Sequence, residues 1–160
     1  MNIAIIGAAY TGLAAAEYLK NKGHRIRVTT TREDRVPELQ AVADEVVVMR
    51  GSDRDKMEEL IEDQDIVLMT VAGGMVERDG EYIMDLDLYR DAYTGTAESL
   101  VEALSTAPAV KQIIFTGSWS AYGNAGGAED VNEDTPATPA SPFAQVFIDT
   151  EDLLFGAASS

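Results

Sequence analysis

The chain has 160 residues, 46% of them apolar and 25% charged, so it is one domain long, can bury a core, and lacks the composition of a disordered, collagen-like or coiled-coil protein. Twelve basic residues stand against twenty-eight acidic ones, and the resulting charge of −16 repels nucleic-acid phosphates and anionic membranes; it fits a soluble, cytoplasmic protein. There is no cysteine and one histidine, His24, which excludes disulfides, thiolate nucleophiles and a metal site built from Cys or several His.

The apolar, small-residue stretch from Ile3 to Ala16 lacks a basic leader, is broken by Gly7 and Gly12, and is too short to span a membrane. It reads as a buried strand at Ile3–Ile6, a turn, and a helix from Thr11 to Asn21 that Gly23 closes, with His24 in the turn. A second strand follows at Ile26–Thr30, then a short helix after Pro37 and a third strand at Val46–Met49. Asp53 is placed to cap a charged helix that ends near Ile61, and Asp65 starts the most apolar strand, Ile66–Val71. Tyr89, Tyr93, Ala97, Leu100, Val101 and Leu104 share one face of a long helix over Leu86–Leu104. Ile113–Phe115 forms a fifth strand, Gly117–Pro142 a polar surface loop in which Glu129, Asp130, Glu133 and Asp134 are solvated, and Pro142–Leu154 a last helix. Strands and helices that alternate in this way predict the α/β class: a Rossmann-type doubly wound parallel sheet in three layers, α/β/α, with strand order 3-2-1-4-5. Residues 1–160 are expected to form a single domain. Gly156 to Ser160 read as the lead-in to a further strand, as if the chain stopped short of a C-terminal substrate region, and the uncovered sheet edge is expected to favour a homodimer.

Gly7-Ala8-Ala9-Tyr10-Thr11-Gly12 has the spacing G-x-G-x-x-G with Ala9 at the middle glycine, between a predicted strand and a predicted helix. Gly7 permits the tight turn, a small residue at Ala9 lets a pyrophosphate approach the backbone, and Gly12 brings helix and strand together. The N–H groups of Tyr10, Thr11 and their neighbours at the helix start then face the phosphates. A dinucleotide is the expected ligand. The second strand ends Thr29-Thr30-Thr31-Arg32, with no carboxylate until Glu33. Thr30, Thr31 and Arg32 suit a ribose 2′-phosphate, with Arg35 in reach, so NADP is preferred to NAD; alternatively Arg32 is a solvated residue neutralised by Glu33 and Asp34. Val71, Ala72 and Gly73 either allow close approach of the nucleotide or simply form a turn.

These motifs, with Gly51-Ser52-Asp53 after the third strand and Gly95-Thr96 in the long helix, resemble the short-chain dehydrogenase/reductase superfamily, especially its extended branch of NAD(P)-dependent epimerases and dehydratases. Phe115-Thr116-Gly117-Ser118-Trp119-Ser120-Ala121-Tyr122-Gly123 looks like the family's serine segment, and Glu133-Asp134-Thr135-Pro136 with Ser141-Pro142 like its acidic-proline stretch. The resemblance covers essentially the whole chain as the N-terminal part of such a protein. It implies a nicotinamide cofactor, contacts to it from Ser52 and Asp53, an unknown small-molecule substrate and an oxidoreductase activity. By the match Ser118 is the family's substrate-orienting serine. The family's Tyr and Lys fall on Phe143 and Phe147, which neither transfer a proton nor carry charge. Tyr122 is the remaining candidate acid, although ordinary members carry a non-catalytic Tyr there; Phe143, Val146, Phe147 and Leu154 otherwise read as a packing face. The missing pair and the G-x-G-x-x-G loop look like the family's atypical members. The other expectation on the same scaffold is a non-catalytic dinucleotide sensor or partner-binding module.

Overall fold

The computed structural model describes residues 1–123, 131–132 and 134–158. Five strands make one parallel sheet: β1 (Asn2–Ile6), β2 (Arg25–Thr30), β3 (Glu45–Val48), β4 (Ile66–Met69) and β7 (Gln112–Phe115), in the order β3-β2-β1-β4-β7. Register is tight at the centre, where Ile3 of β1 pairs with Ile26 on one side and Ile66 on the other. Successive residues of a strand point to opposite faces, and helices cover both faces of this sheet, so β1 is apolar from Ile3 to Ile6. Ile3 and Ile5 pack with Ile26 and Val28 beneath α1 (Tyr10–Asn21) and α2 (Val36–Gln40). Ala4 and Ile6 pack on the other face with Val67, Met69, Met57, Leu60 and Leu100, under α3 (Arg54–Ile61) and α5 (Thr96–Ala103). Gly23 ends α1 as the sequence predicts, at φ +84° with its N–H on Lys20 O.

Between β4 and the long helix lies a hairpin that sequence periodicity did not reveal. β5 (Met75–Arg78) and β6 (Glu81–Met84) pair antiparallel around Asp79-Gly80, both at positive φ. The hairpin stands apart from the main sheet, and its base is closed by the Asp85 N–H on Gly74 O at 2.6 Å. The fifth strand of the sheet is therefore the seventh in the chain. The predicted long helix is also divided: α4 (Leu86–Arg90) passes into a single wide π turn, Asp91–Gly95, before α5 begins. Among the described residues, the polar stretch after β7 holds a 3₁₀ turn, Trp119–Tyr122; Asp134 sits in a side-chain turn with Asn132, and Glu129, Asp130 and Glu133 lie outside the described residues.

The last helix, α6 (Pro142–Ala158), corrects the reading of the C-terminal residues: Gly156, Ala157 and Ala158 continue the helix rather than leading into a strand. Gly156 keeps negative φ, and a single glycine that does so weakens a helix by about 1 kcal/mol without ending it. Among the described residues no helix is long and apolar enough to cross a membrane.

Candidate functional site

The C-terminal ends of β1, β2 and β4 meet where the strand order reverses, the place at which an open α/β sheet leaves a crevice. Gly7 turns the chain there at φ +93°. The turn is braced from both neighbouring strands: the Gly7 N–H donates to Thr29 Oγ1 at 2.9 Å, and Thr70 Oγ1 donates to Gly7 O at 2.8 Å. Both threonines are buried, so their hydroxyls fix the loop in place of water. From above, Arg35 Nη1 donates to Ala8 O at 2.7 Å. Side chains are excluded on the inner side. A Cβ at Gly7 would lie 2.8 Å from Val71 Cα, and one at Gly12 would overlap Gly7 O and lie 2.6 Å from Thr70 Oγ1. α1 starts at once, with Ala9 as a cap that offers no side-chain acceptor, so the first-turn N–H groups point out of the loop as an anion cradle.

Above the loop opens a cleft of about 650 Å³. Of the residues proposed from sequence, Gly7, Ala9, Tyr10, Thr30, Thr31, Arg32, Val71, Ala72 and Gly73 line it. Thr11, Gly12, Ser52 and Asp53 do not. Gly12 is buried beneath the loop, and Asp53 is spent on the helix it begins, accepting the Lys56 N–H at 3.3 Å. Sequence reasoning missed Met49, Arg50 and Asp91, which also line the cleft, as do Gly51 and Thr96, named from sequence only as marks of the family resemblance. Their signal was the small Gly51 before Ser52, where a Cβ would overlap the Thr96 side chain, so the turn after β3 is pressed against the start of α5.

Three arginines, Arg32, Arg35 and Arg50, line the cleft, each paired with a carboxylate: Asp34, Glu38 and Asp91 in turn. Arg32 is already engaged: its Nε donates to Asp34 Oδ1 at 3.1 Å and its Nη2 to Oδ2. That hydrogen bond holds the Asp34 carboxyl below the usual carboxylate range. Both side chains are 65% exposed, so the pair is weak and exchangeable.

Ser118 and Tyr122 stand apart from this cleft, on the 3₁₀ turn after β7. Ser118 caps the turn, accepting the Ser120 N–H at 3.2 Å, while Tyr122 lines a second cavity with Glu151 and Leu154. Phe143 and Phe147 face inward on α6. Phe143 meets the Tyr89 ring edge-on at 5.3 Å, and Phe147 lies 4.9 Å from Tyr93 and 5.9 Å from Tyr89. Burial pushes the Tyr89 and Tyr93 hydroxyls above the ordinary tyrosine value.

The sequence model of the NAD dependent epimerase/dehydratase family matches residues 3–150. The chain belongs to this family. Solved structures with the same fold are longer than this epimerase/dehydratase-family chain. A variant of UDP-glucuronic acid 4-epimerase from Bacillus cereus, in complex with NAD and a fluorinated UDP-glucuronic acid, superposes with a TM-score of 0.81 at 21% identity, over 100% of this chain and 53% of that one. UDP-glucose-4-epimerase from Stenotrophomonas maltophila, with bound NAD, gives 0.77 at 24% identity over 99% and 49%. UDP-glucose 4-epimerase from Thermotoga maritima gives 0.78 at 19% over 100% and 52%. The chain thus spans about half the length of the structures it matches. Among curated protein sequences no match is found.

Proposed function

We propose that this chain is the NAD(P)-binding part of an atypical epimerase/dehydratase-like oxidoreductase, with NADP the preferred cofactor. The observation that carries the reading is the braced loop: two glycines whose Cβ atoms would strike backbone, under a cleft whose wall gathers three arginines in a strongly acidic protein. In this reading Gly7, Ala9, Tyr10 and the first turn of α1 hold the pyrophosphate, with Val71, Ala72 and Gly73 against the nucleotide. Thr30, Thr31 and Arg32 hold the ribose 2′-phosphate once Arg32 exchanges Asp34 for the incoming anion. Arg35 is a positioning residue, because it fixes Ala8 and so the shape of the cradle. When bound, the nicotinamide would supply hydride chemistry; the chain supplies placement and exclusion of water. Solved structures of similar fold bind NAD with UDP-sugars, which makes a small carbonyl or hydroxyl compound, including a nucleotide sugar, the substrate class to try on the complete protein.

Titration calorimetry with NADPH and NADH at low ionic strength tests the cofactor. The chain is expected to bind NADPH more tightly, and Arg32→Ala to abolish the difference while NADH affinity stays within about twofold, since a charge-assisted phosphate contact is lost and nothing else. Absence of binding by either nucleotide at millimolar concentration defeats the reading.

A second reading, a non-catalytic dinucleotide sensor or partner-binding module, is favoured by one specific observation. Phe143 and Phe147 are built into an aromatic cluster with two tyrosines whose protons are held more tightly than usual, the reverse of what a proton-transferring tyrosine needs. Ser118 and Tyr122 remain the groups through which the enzyme reading would have to work. Turnover of NADPH with carbonyl substrates by the complete protein, lowered by Ser118→Ala, separates the two.

A further inference from the structure

A second cavity, of about 530 Å³, shares no residue with the cleft above the glycine loop. It opens beside β7, the last strand of the sheet, which pairs with β4 on one side and has an unpaired outer edge among the described residues. Its walls come from segments far apart in sequence: Leu104 just beyond α5, Val110 in the turn before β7, Ile113 and Phe115 on β7, and Leu154 on α6. A space of this size, walled mainly by apolar side chains with a few convergent polar groups, has the build of a small-molecule site.

The charged groups that line it are not equivalent. Lys111 is 75% exposed and already answered by Asp65, Nζ to Oδ1 at 2.7 Å. Glu151, half-buried on α6, accepts no hydrogen bond and makes no ion pair among the described residues. Its carboxylate lies against the backbone where the chain leaves β7, since a Cβ at Gly117 would come within 2.6 Å of Oε1. Gly117 thus leaves open the space that the carboxylate fills. Burial, and then the neighbouring Asp152, hold the Glu151 carboxyl above the usual carboxylate range. A carboxylate drawn partly out of water without a cation costs free energy that a positively charged donor would offset.

We propose that this cavity binds a small apolar amine, its ammonium group on the Glu151 carboxylate and its hydrocarbon among Leu104, Val110, Phe115 and Leu154. A carboxylate only accepts hydrogen bonds and an ammonium only donates them, so the two match in both charge and hydrogen bonding. The outer edge of β7 offers backbone carbonyls as further acceptors. The overall charge of −16 gathers cations near the surface and turns anions away. The proposal uses none of the residues of the dinucleotide reading and stands or falls apart from it.

The chain has a single tryptophan, Trp119, whose ring lies 5.5 Å from that of Tyr122 on the cavity wall, so its fluorescence reports on the site. The probes are phenethylamine, charged at neutral pH, and phenethyl alcohol, its neutral counterpart, titrated at about 0.15 M NaCl to screen the general attraction of cations to an acidic surface. Phenethylamine is expected to give a saturable change in Trp119 fluorescence at millimolar concentration or below, confirmed by calorimetry. Phenethyl alcohol should bind about tenfold more weakly or worse, the size of effect expected when a hydrogen bond to a charged group loses its charge. Glu151→Gln, which keeps the side chain's shape and is checked by circular dichroism, should bring the two probes within about threefold of each other. Glu98→Gln removes the same charge from an exposed position on α5 and should leave the preference intact. Equal binding of the two probes by the chain overturns the proposal, as does an undiminished preference in Glu151→Gln. A preference lost as fully in Glu98→Gln reduces the effect to general charge attraction and overturns it too. If neither probe binds and sedimentation shows the chain to be a dimer, the groove is a strand-pairing surface between copies and the amine site falls.

Discussion

Gly12 and Gly156 show how differently the same residue is used. An added methyl at Gly12 would meet the Gly7 carbonyl and the Thr70 hydroxyl, both already joined in the hydrogen bond that braces the loop. One of them must move. Gly12→Ala is therefore expected to lower stability by about 1–3 kcal/mol in urea denaturation and to weaken NADPH binding at the same time. Gly156 lies in α6, and a methyl there meets nothing among the described residues. Gly156→Ala should stabilise by about 0.5–1 kcal/mol, through helix propensity and the unfolded chain, with no effect on binding. Equal effects from the two substitutions would deny that the Gly12 contact is special. Thr29 and Thr70 belong to the same picture: their hydroxyls bond to Gly7, and the loop's shape depends on them.

At the scale of elements, α3 tests whether Asp53 caps a helix or touches a nucleotide. Its carboxylate accepts the Lys56 N–H at the start of α3, and the side chain is off the cleft wall. Asp53→Ala is expected to cost about 0.5–2 kcal/mol of stability by thermal or urea melting and to leave NADPH affinity unchanged. A fall in affinity with stability intact would return Asp53 to the ligand. The β5–β6 hairpin is an element of another kind. It lies outside the main sheet with Met75, Tyr82 and Met84 exposed, and Met75 reaches the cleft wall. A lone two-stranded hairpin is marginal in water, so this one depends on its anchoring at Gly74, where a Cβ would strike the Tyr89 ring.

For the whole molecule, the charge of −16 acts in two opposing ways. Like charges repel one another across the folded surface, and salt screens them, since the Debye length shortens from about 10 Å at 0.1 M to about 3 Å at 1 M. The same salt screens the arginines of the cleft from phosphate. Raising NaCl from about 0.05 M to about 1 M should therefore raise the melting temperature of the chain and weaken its binding of NADPH. Melting followed by circular dichroism and calorimetry on the same samples read both trends. A melting temperature that falls with salt would mean that the ion pairs, such as Arg27 with Glu45 and Asp63, outweigh the general repulsion.

The sequence by itself determined the α/β alternation and the glycine loop after β1, because each is written in residues close together along the chain. Apolar runs of strand length mark a sheet covered on both sides, and a glycine pair at fixed spacing marks one turn. The Asp79-Gly80 pair between Met75-Val76 and Tyr82-Ile83 also carried the hairpin locally, though the stronger helical pattern that follows masked it. What only the tertiary structure decided were the relations between segments remote in sequence. The turn after β3 brings Arg50 to Asp91 of the π turn, 41 residues further along the chain. Asp53 is held by its own helix, and two phenylalanines of α6 close on the tyrosines of α4 and the π turn. Spacing along a chain fixes what a residue's near neighbours do. Which distant side chain stands across a cleft is settled by strand pairing and helix packing, and those depend on the whole core.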